Sequence, residues 1–254
     1  MRYRATLSYD GTAYQGFQRQ AGETPTIQLA LETAITRITQ QRATVIGAGR
    51  TDTGVHATGQ VIAFDVEWKH GTPALLRALN SVLPEDIALQ AIAEAAPDFH
   101  PRFSAHARQY RYTVMVGGQR QPLLRQRVWH LREPLTVDLL HKSAGILLGS
   151  HDFGAFGKSP DGGHTIREII TTRWHVTQLY EAYRCEYEVV ANAFLQHMVR
   201  RIVGALVDVG RGRLTPAQFE EAFRGVDTTA LKTLAPPQGL VLEAVFYPED
   251  KLVK

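Results

Sequence analysis

The sequence predicts an α+β protein built from two halves that repeat one order of elements. Segments with the two-residue alternation of strands are interleaved with segments that have the 3.6-residue periodicity of helices. The order β-α-β-β-α-β occurs twice along the chain, once in residues 1–104 and once in residues 105–254. Split β-α-β units form antiparallel sheets with their helices on one face. We therefore expect a continuous, mostly antiparallel sheet with helices on one face and a central cleft between two domains.

The first domain, residues 1–104, begins with a strand at residues 2–9 and a loop at residues 10–24. Pro25 precedes a helix in which apolar residues recur at the spacing of one face. The other predicted elements of this domain are strands at residues 43–47, 60–66 and 86–93 and a helix at residues 72–82.

The second domain, residues 105–254, has the same order of elements with one additional helix. Its predicted strands cover residues 107–116, 128–131, 167–177, 184–190 and 239–247. Its predicted helices cover residues 136–148, 194–209 and 215–223, and a glycine-rich loop covers residues 149–164. The two domains share this pattern and no residue-level identity, so the repeat is one of architecture.

The composition is that of an ordinary globular protein, with 44% hydrophobic and 21% charged residues. Cys185 is the only cysteine, which excludes an internal disulfide framework and a thiolate-rich zinc site and favours a cytoplasmic location. The ten histidines match no known metal-binding spacing, so we expect no metal ion. No apolar run approaches the roughly 20 residues of a membrane span, and we expect no signal peptide.

The basic residues favour a nucleic-acid partner. Of the 28 basic residues 22 are arginines, which make forked contacts with phosphate and stack on bases. Residues 99–132 contain seven arginines and no acid, together with Phe103, Tyr110, Tyr112 and Trp129. Such a mixture suits a phosphate backbone with exposed bases. The alternative is a solvated strand pair whose acidic partners lie on neighbouring elements.

One carboxylate stands in a glycine-bounded loop. In the sequence GRTDTGVHA at residues 49–57, Asp52 lies two residues from Arg50, and His56 follows the turn. Glycines allow sharp turns and close approach of the backbone to a ligand, so Asp52 is a candidate nucleophile or base. The alternative is that the Asp52 side chain bonds only the backbone of its own turn. A dinucleotide-binding loop is disfavoured, because Asp52 occupies the third glycine position and about five residues, too few for a crossover helix, separate Gly54 from the next strand.

Two later segments carry candidate partners for this carboxylate. In the helix predicted at residues 194–209, His197, Arg200 and Gly204 share one face. An arginine on a largely apolar helix either pairs with a carboxylate or phosphate or lies on the helix surface. Tyr110 is a packing residue of its strand unless an open cleft exposes the ring to a ligand.

The sequence GRTDTGVHA at residues 49–57 resembles the signature of the tRNA pseudouridine synthase A family. Further segments resemble motifs of that family in the expected order: YDGTAYQGFQRQ at residues 9–20, DFHPRFSA at 98–105, RQYRY at 108–112, NAFLQHMVRRIVG at 192–204 and APPQGL at 235–240. Phe17 stands where the family often has tryptophan, and both residues are aromatic.

The resemblance implies a pseudouridine synthase fold and an isomerase that converts uridine to pseudouridine at positions 38–40 of the tRNA anticodon stem-loop, without a metal or cofactor. It implies that Asp52 is the essential carboxylate and that Tyr110 packs on the target uracil. Arg50 would hold the nucleotide out of the helix, and Arg200 would pair with Asp52. The family also implies a homodimer that binds tRNA across both subunits.

The implied reaction breaks an N–C glycosidic bond, turns the base and forms a C–C bond to the same sugar. Asp52 either attacks the sugar carbon or takes its 2′ proton, and both routes stay open. The uridine must first leave the stem, at a cost of a few kcal/mol. We expect weaker RNA contacts from Arg108, Arg111 and His197. Two other hypotheses are a non-catalytic RNA-binding protein, which leaves the Asp52 loop without a purpose, and a nucleotide-cofactor enzyme.

Overall fold

The computed structural model describes residues 1–22, 24–159 and 162–250. Across these residues the chain forms ten β-strands and five α-helices, and the paired strands are largely antiparallel. The α+β class predicted from the sequence is therefore confirmed. In the part of the chain so described, no helix is long and apolar enough to cross a membrane.

The chain folds into two compact units. The first unit contains Met1–His106 and residues 241–250, and the second contains Ala107–Leu240. These units differ from the predicted domains, residues 1–104 and 105–254, mainly in the last strand, which belongs to the first unit. The alternation of residues predicts that this strand exists, but its partner is set by contacts with residues far away along the chain.

The first unit is a sheet with two helices. Its elements are β1 (Arg2–Tyr9), α1 (Ile27–Thr39), β2 (Ile46–Gly47), β3 (His56–Asp65), α2 (Thr72–Asn80), β4 (Ile87–Glu94) and the last strand of the chain (Leu240–Phe246). β1 lies between β4 and β3 and is antiparallel to both, and β2 pairs with β3. The last strand runs parallel to β3 and pairs Val241 with His56.

The helices of the first unit pack on β3 and β4 through apolar side chains. α1 begins after Thr26, whose hydroxyl accepts the backbone N–H of Leu29 at 3.3 Å. Leu31 of α1 then packs together with Phe64 of β3 and Leu89 of β4. Burial of this apolar surface stabilises the sheet and so holds β3, which begins directly after the loop that carries the candidate carboxylate.

The second unit is a sheet with three helices. Its elements are β5 (Ala107–Gly117), β6 (Trp129–Leu131), α3 (Val137–Gly145), β7 (Gly149–Asp152), β8 (Ile166–Gln178), β9 (Ala182–Ala191), α4 (Met198–Gly210) and α5 (Pro216–Arg224). The strand order is β5-β9-β8-β7 with antiparallel pairing, and β6 runs parallel beside β5. The last strand, Leu240–Phe246, is numbered β10.

β5 has two different faces, because successive side chains of a strand point to opposite sides of the sheet. Tyr110 and Tyr112 are buried on one face, where Tyr112 lies opposite Tyr187 of β9. Arg111 lies on the other face, where its guanidinium is 3.4 Å from the carboxylate of Glu186. The sheet therefore separates Arg111 from the two tyrosines, whereas Arg108 lies on the tyrosine face.

Three of the differences from the sequence prediction are larger than the others. β3 begins before the predicted residue 60, so strand pairing starts directly after the candidate loop. β7 lies inside the predicted glycine-rich loop, of which Pro160 and Asp161 lie outside the described residues. α4 begins at Met198 rather than at residue 194, because His197 has a left-handed backbone (φ 64°) that interrupts helical geometry.

Gly59→Ala is expected to destabilise the first unit. Gly59 lies in β3, where the Cβ atom of an alanine would come 2.0 Å from the carbonyl oxygen of Glu243 in β10. The two strands would have to separate, and overpacking of this kind lowers the free energy of unfolding by about 1–3 kcal/mol. Urea denaturation followed by circular dichroism measures the change.

Gly145→Ala is the matched control. Gly145 is an exposed residue of α3, and no neighbouring part of the fold lies within 4 Å of the added Cβ atom. Alanine should raise the free energy of unfolding by up to about 1 kcal/mol, because it has the higher helix propensity. Equal effects of the two substitutions would contradict the close packing of β3 against β10.

Candidate active site

The Asp52 loop, residues 48–55, connects β2 to β3 in the first unit. The carbonyl oxygen of Asp52 accepts the backbone N–H of Val55 at 3.1 Å, which closes a tight turn. Gly54 has a φ of +75° in this turn, a conformation that side chains disfavour. The side chain of Asp52 is partly buried. The glycine that bounds the sequence motif is thus required by the turn that carries the carboxylate.

The opening segment, residues 9–20, lies directly against this loop. The backbone N–H of Phe17 donates to the carbonyl oxygen of Thr51 at 3.0 Å, and the hydroxyl groups of Tyr9 and Thr51 are 2.8 Å apart. A Cβ atom on Gly16 would lie 2.8 Å from the Thr51 carbonyl oxygen, so only glycine permits this approach. Two motifs that are distant in the sequence therefore form one structural element, which fixes the residue before Asp52.

His56 holds the other end of the Asp52 loop. Its ring is buried, and its Nδ1 accepts a hydrogen bond from the backbone N–H of Gly11 at 3.0 Å. The same nitrogen lies 3.0 Å from the carboxylate of Asp10. An unprotonated Nδ1 bonds the Gly11 amide, whereas a protonated one bonds the Asp10 carboxylate. A Cβ atom on Gly11 would come 2.0 Å from the carbonyl oxygen of Val55. The opening segment is thus in contact with the backbone on both sides of Asp52, at Thr51 and at Val55.

Gln60 is a supporting residue that the sequence prediction missed. Its fully buried amide donates to the carbonyl oxygen of Gly49 at 2.9 Å and accepts the Gly49 N–H at 3.3 Å. The amide therefore replaces the backbone partners that a regular strand would supply to the start of the loop. The sequence signal that could have identified it is a polar residue directly before the apolar run at residues 61–64.

Arg50 is an exposed residue of this loop. Its side chain makes no hydrogen bond or ion pair with any residue that the structure describes. Over the same residues, no group of three or more His, Cys, Asp or Glu side chains is placed to hold a metal ion. The first unit thus presents one carboxylate on a fixed turn with an exposed guanidinium two residues away.

In the second unit, Tyr110 is 8% exposed and lies near the start of β5. Its ring contacts Phe194 edge to face, with ring centroids 4.9 Å apart. Arg108 is buried to the same degree, and its guanidinium donates to the carbonyl oxygen of Asn192 at 2.9 Å. Both residues of β5 therefore support the chain that leads from β9 into α4.

From the sequence, His197, Arg200 and Gly204 are expected on one helix face, and the structure corrects this expectation for His197. His197 lies before α4 in a left-handed conformation, so it does not share the face of the other two residues. Arg200 and Gly204 lie one turn apart within α4, and Arg200 is partly buried. Arg111, as described above, lies on the opposite face of β5 from Tyr110 and pairs with Glu186.

Arg200 is held by the closing segment, residues 231–239, which is the last part of the connection from α5 to β10. Its Nε donates to the carbonyl oxygen of Ala235 at 2.8 Å, and the N–H of Ala235 donates to the carbonyl oxygen of Arg200 at 3.1 Å. The next carbonyl, that of Pro236, accepts the hydroxyl of Tyr112 at 2.7 Å. Burial raises the pKa of Tyr112, and the positive charge of Arg200 acts in the opposite direction. The closing segment therefore links α4 to β5.

The predicted site residues fall into two groups. Asp52 and Arg50 belong to the first unit, whereas Tyr110, Arg200 and the weaker candidates belong to the second. Within the second unit Arg200 lies close enough to Tyr112 to influence its ionisation. Two expectations stay predictions: that Arg200 pairs with Asp52, and that Tyr110 contacts a base.

Gln60→Leu is expected to loosen the start of the Asp52 loop. The substitution leaves the N–H and carbonyl of Gly49 without their side-chain partner, which costs about 1–3 kcal/mol of unfolding free energy. Hydrogen exchange at the Gly49 amide should accelerate. Gln90→Leu is the control, because Gln90 is exposed and bonds only the Ser8 hydroxyl. Unchanged exchange at Gly49 in the Gln60 variant would contradict its supporting role.

Comparison with known proteins identifies the family of the chain. The chain matches the tRNA pseudouridine synthase family over residues 5–104 and 144–248. A Chloroflexus aurantiacus protein named tRNA pseudouridine synthase A is 44% identical over 243 residues, which cover 95% of this chain and 87% of that protein. Proteins of the same name from Myxococcus xanthus and Neisseria gonorrhoeae are 40% and 39% identical over 247 residues, covering 97% of this chain and 92% of each relative. The chain therefore belongs to the tRNA pseudouridine synthase family, whose members are isomerases.

Proposed function

We propose that this isomerase converts uridine to pseudouridine at positions 38–40 of the tRNA anticodon stem-loop and that Asp52 is its essential carboxylate. One observation carries the proposal. The opening segment contacts the Asp52 loop on both sides of the carboxylate, at Thr51 and at Val55, which fixes the turn near the exposed Arg50. A positioned carboxylate is what a reaction at a sugar carbon requires, because catalytic groups act only from a defined geometry.

Asp52 acts on the ribose of the target uridine. In one route a carboxylate oxygen attacks the sugar carbon and uracil leaves as a resonance-stabilised anion. In the other route Asp52 takes the 2′ proton while the same bond breaks. The uracil then turns so that its C5 faces the sugar carbon. In the first route C5 displaces the carboxylate from that carbon, and in the second Asp52 returns the 2′ proton as C5 bonds the carbon. In both routes the C5 proton is then lost and N1 takes up a proton, which gives pseudouridine and free Asp52. The carboxylate must be ionised to begin either route.

The three other residues of the proposed site act on the base and on the charge of the carboxylate. The target uridine lies in or beside a stem, so it is extruded before reaction, at a cost of a few kcal/mol. Arg50 enters the space that the base leaves, and the ring of Tyr110 packs on the extruded uracil. Arg200 pairs with Asp52 and offsets the desolvation of its charge once RNA covers the site.

The remaining predicted contacts serve the RNA backbone. Arg111 is 41% exposed despite its pairing with Glu186, so it has surface left for a phosphate. His197 precedes α4 in the strained backbone conformation that is common at ligand sites. Arg108 supports the RNA surface mainly by holding Asn192 in place. Their contributions should be smaller than those of Arg50 and Tyr110.

We further propose that the enzyme acts in the cytoplasm as a homodimer, with no metal or cofactor. The single Cys185 suits a reducing compartment. The dimer follows from the family resemblance, and sedimentation of the purified protein at micromolar concentration tests it.

Asp52→Asn is expected to lower kcat for pseudouridine formation by at least about three orders of magnitude, because the amide neither attacks nor takes a proton. tRNA affinity should change by less than about threefold, since the amide keeps the size of the side chain. Asp138→Asn on the exposed surface of α3 is the matched control and should leave kcat unchanged. Turnover of the Asp52 variant within tenfold of the original would remove this residue from the mechanism.

Tyr110→Phe should keep most of the activity, whereas Tyr110→Leu should lose about 10- to 100-fold in kcat/KM. Phenylalanine preserves both the contact with Phe194 and an aromatic face for uracil, and such stacking contributes about 1–3 kcal/mol per base. Tyr180→Leu, at an almost fully exposed tip between β8 and β9, is the control for loss of a tyrosine. Equal losses in the two Tyr110 variants would argue against a ring contact with the base.

A further inference from the structure

The closing segment contacts α4 at Arg200 and also at a second point, which has no role in the proposed mechanism. The hydroxyl of Thr233 donates to the carboxylate of Asp208 at 2.5 Å. Asp208 lies two turns after Arg200 in α4, and its side chain is mostly buried. The same carboxylate accepts a hydrogen bond from Arg213 at 3.2 Å through its other oxygen.

Three residues of α4 at a spacing of four share one face, and the closing segment lies along it. At one end, Arg200 exchanges two hydrogen bonds with Ala235. In the middle, a Cβ atom on Gly204 would come 2.1 Å from the carbonyl oxygen of Thr233, so the two backbones touch. At the other end, Asp208 binds the Thr233 hydroxyl. The position of Ala235 therefore depends on where Thr233 is held, two residues earlier.

The position of Ala235 in turn sets the orientation of Arg200. A guanidinium is planar, so a hydrogen bond from Nε to a fixed carbonyl restricts rotation of the whole plane. The part of the closing segment that follows Ala235 is also fixed. The carbonyl oxygen of Pro236 accepts the Tyr112 hydroxyl, and Gly239 lies against the Tyr112 ring. A carbonyl that is held on both sides gives the charged group a defined direction.

We propose that Thr233 and Asp208 are positioning residues for the reaction, which direct the Arg200 guanidinium through the closing segment. The inference rests on the proposed function, in which Arg200 pairs with Asp52. It adds two residues that do not themselves touch the substrate. Their effect is on the chemical step, because a small misplacement of a charged group in an active site strongly lowers the rate.

The central experiment compares Thr233→Val with Thr233→Ser. Valine keeps the shape of the side chain and removes the hydroxyl, so kcat should fall by about tenfold while KM for tRNA stays within about twofold. Serine keeps the hydroxyl and should stay within about twofold of the original kcat. Equal kcat values for the valine variant and the original protein would overturn the proposal, and so would parallel losses in kcat and tRNA affinity.

Arg213→Ala is the matched control. Arg213 bonds the other oxygen of Asp208 and its side chain is 59% exposed, so the pair contributes little and the bond to Thr233 is kept. kcat should be unchanged. A tenfold loss in this variant would show that general disturbance of Asp208 lowers activity, and it would overturn the specific role of the Thr233 hydroxyl.

A second pair of variants covers the case in which Thr233→Val folds poorly. Asp208→Asn still accepts the Thr233 hydroxyl through its amide oxygen and should keep kcat within about threefold. Asp208→Leu loses the acceptor and should reproduce the loss seen for valine at residue 233. Each kcat is measured well below the midpoint of thermal unfolding of that variant. An active Asp208→Leu variant would overturn the proposal.

A double-mutant cycle separates this inference from the proposed function. If Thr233 acts through Arg200, then Thr233→Val should lower kcat no further in the Arg200→Ala background. An additional tenfold loss in that background would show that Thr233 acts by another route and would overturn the inference. If Arg200→Ala alone leaves kcat unchanged, the proposed role of Arg200 fails. If it lowers kcat strongly while Thr233→Val does not, only the positioning inference fails.

Discussion

The contact between two stretches of backbone determines the geometry of the candidate active site. Gly11 and Gly16 of the opening segment approach the Asp52 loop so closely that a Cβ atom at either residue would overlap a carbonyl oxygen. The resulting hydrogen bonds hold Thr51, the residue before the carboxylate. Because backbone atoms have little conformational freedom once paired, this contact positions Asp52 more firmly than side-chain packing alone. The opening motif of the family therefore has a structural purpose that is linked directly to the carboxylate.

The second unit uses the same physical means for its charged group. The guanidinium of Arg200 is oriented by a main-chain carbonyl of the closing segment, and the adjacent carbonyl binds Tyr112 of β5. Gly204 and Gly239 allow the close approaches that these bonds need. The groups proposed for chemistry thus depend on segments that themselves carry no catalytic side chain. Glycines that lie far from Asp52 in the sequence thus take part in placing these groups.

Much of the fold follows from patterns that are local in the sequence. The alternation in β1 and the apolar face of α1 predict both elements, and the glycines around Asp52 predict the turn that the structure contains. The partner of β10 was not predictable, because strand pairing depends on residues far apart along the chain. The error at His197 has a different cause, since a left-handed backbone at a residue other than glycine has no clear sequence signal. The roles of Gln60, Thr233 and Asp208 also arise from contacts that only the folded chain creates.

The central claim is that the fixed carboxylate of Asp52 meets the ribose of an extruded uridine, with Arg200 beside it. A crystal structure of the Asp52→Asn protein with an unreacted tRNA anticodon arm tests this most directly. We expect the amide of residue 52 within about 3.5 Å of the sugar of one uridine outside the stem, the separation typical of reacting groups. Tyr110 should lie against its uracil, and Arg200 should lie next to the amide. A uridine that stays stacked in the stem, or an amide that faces solvent away from the RNA, would contradict the account.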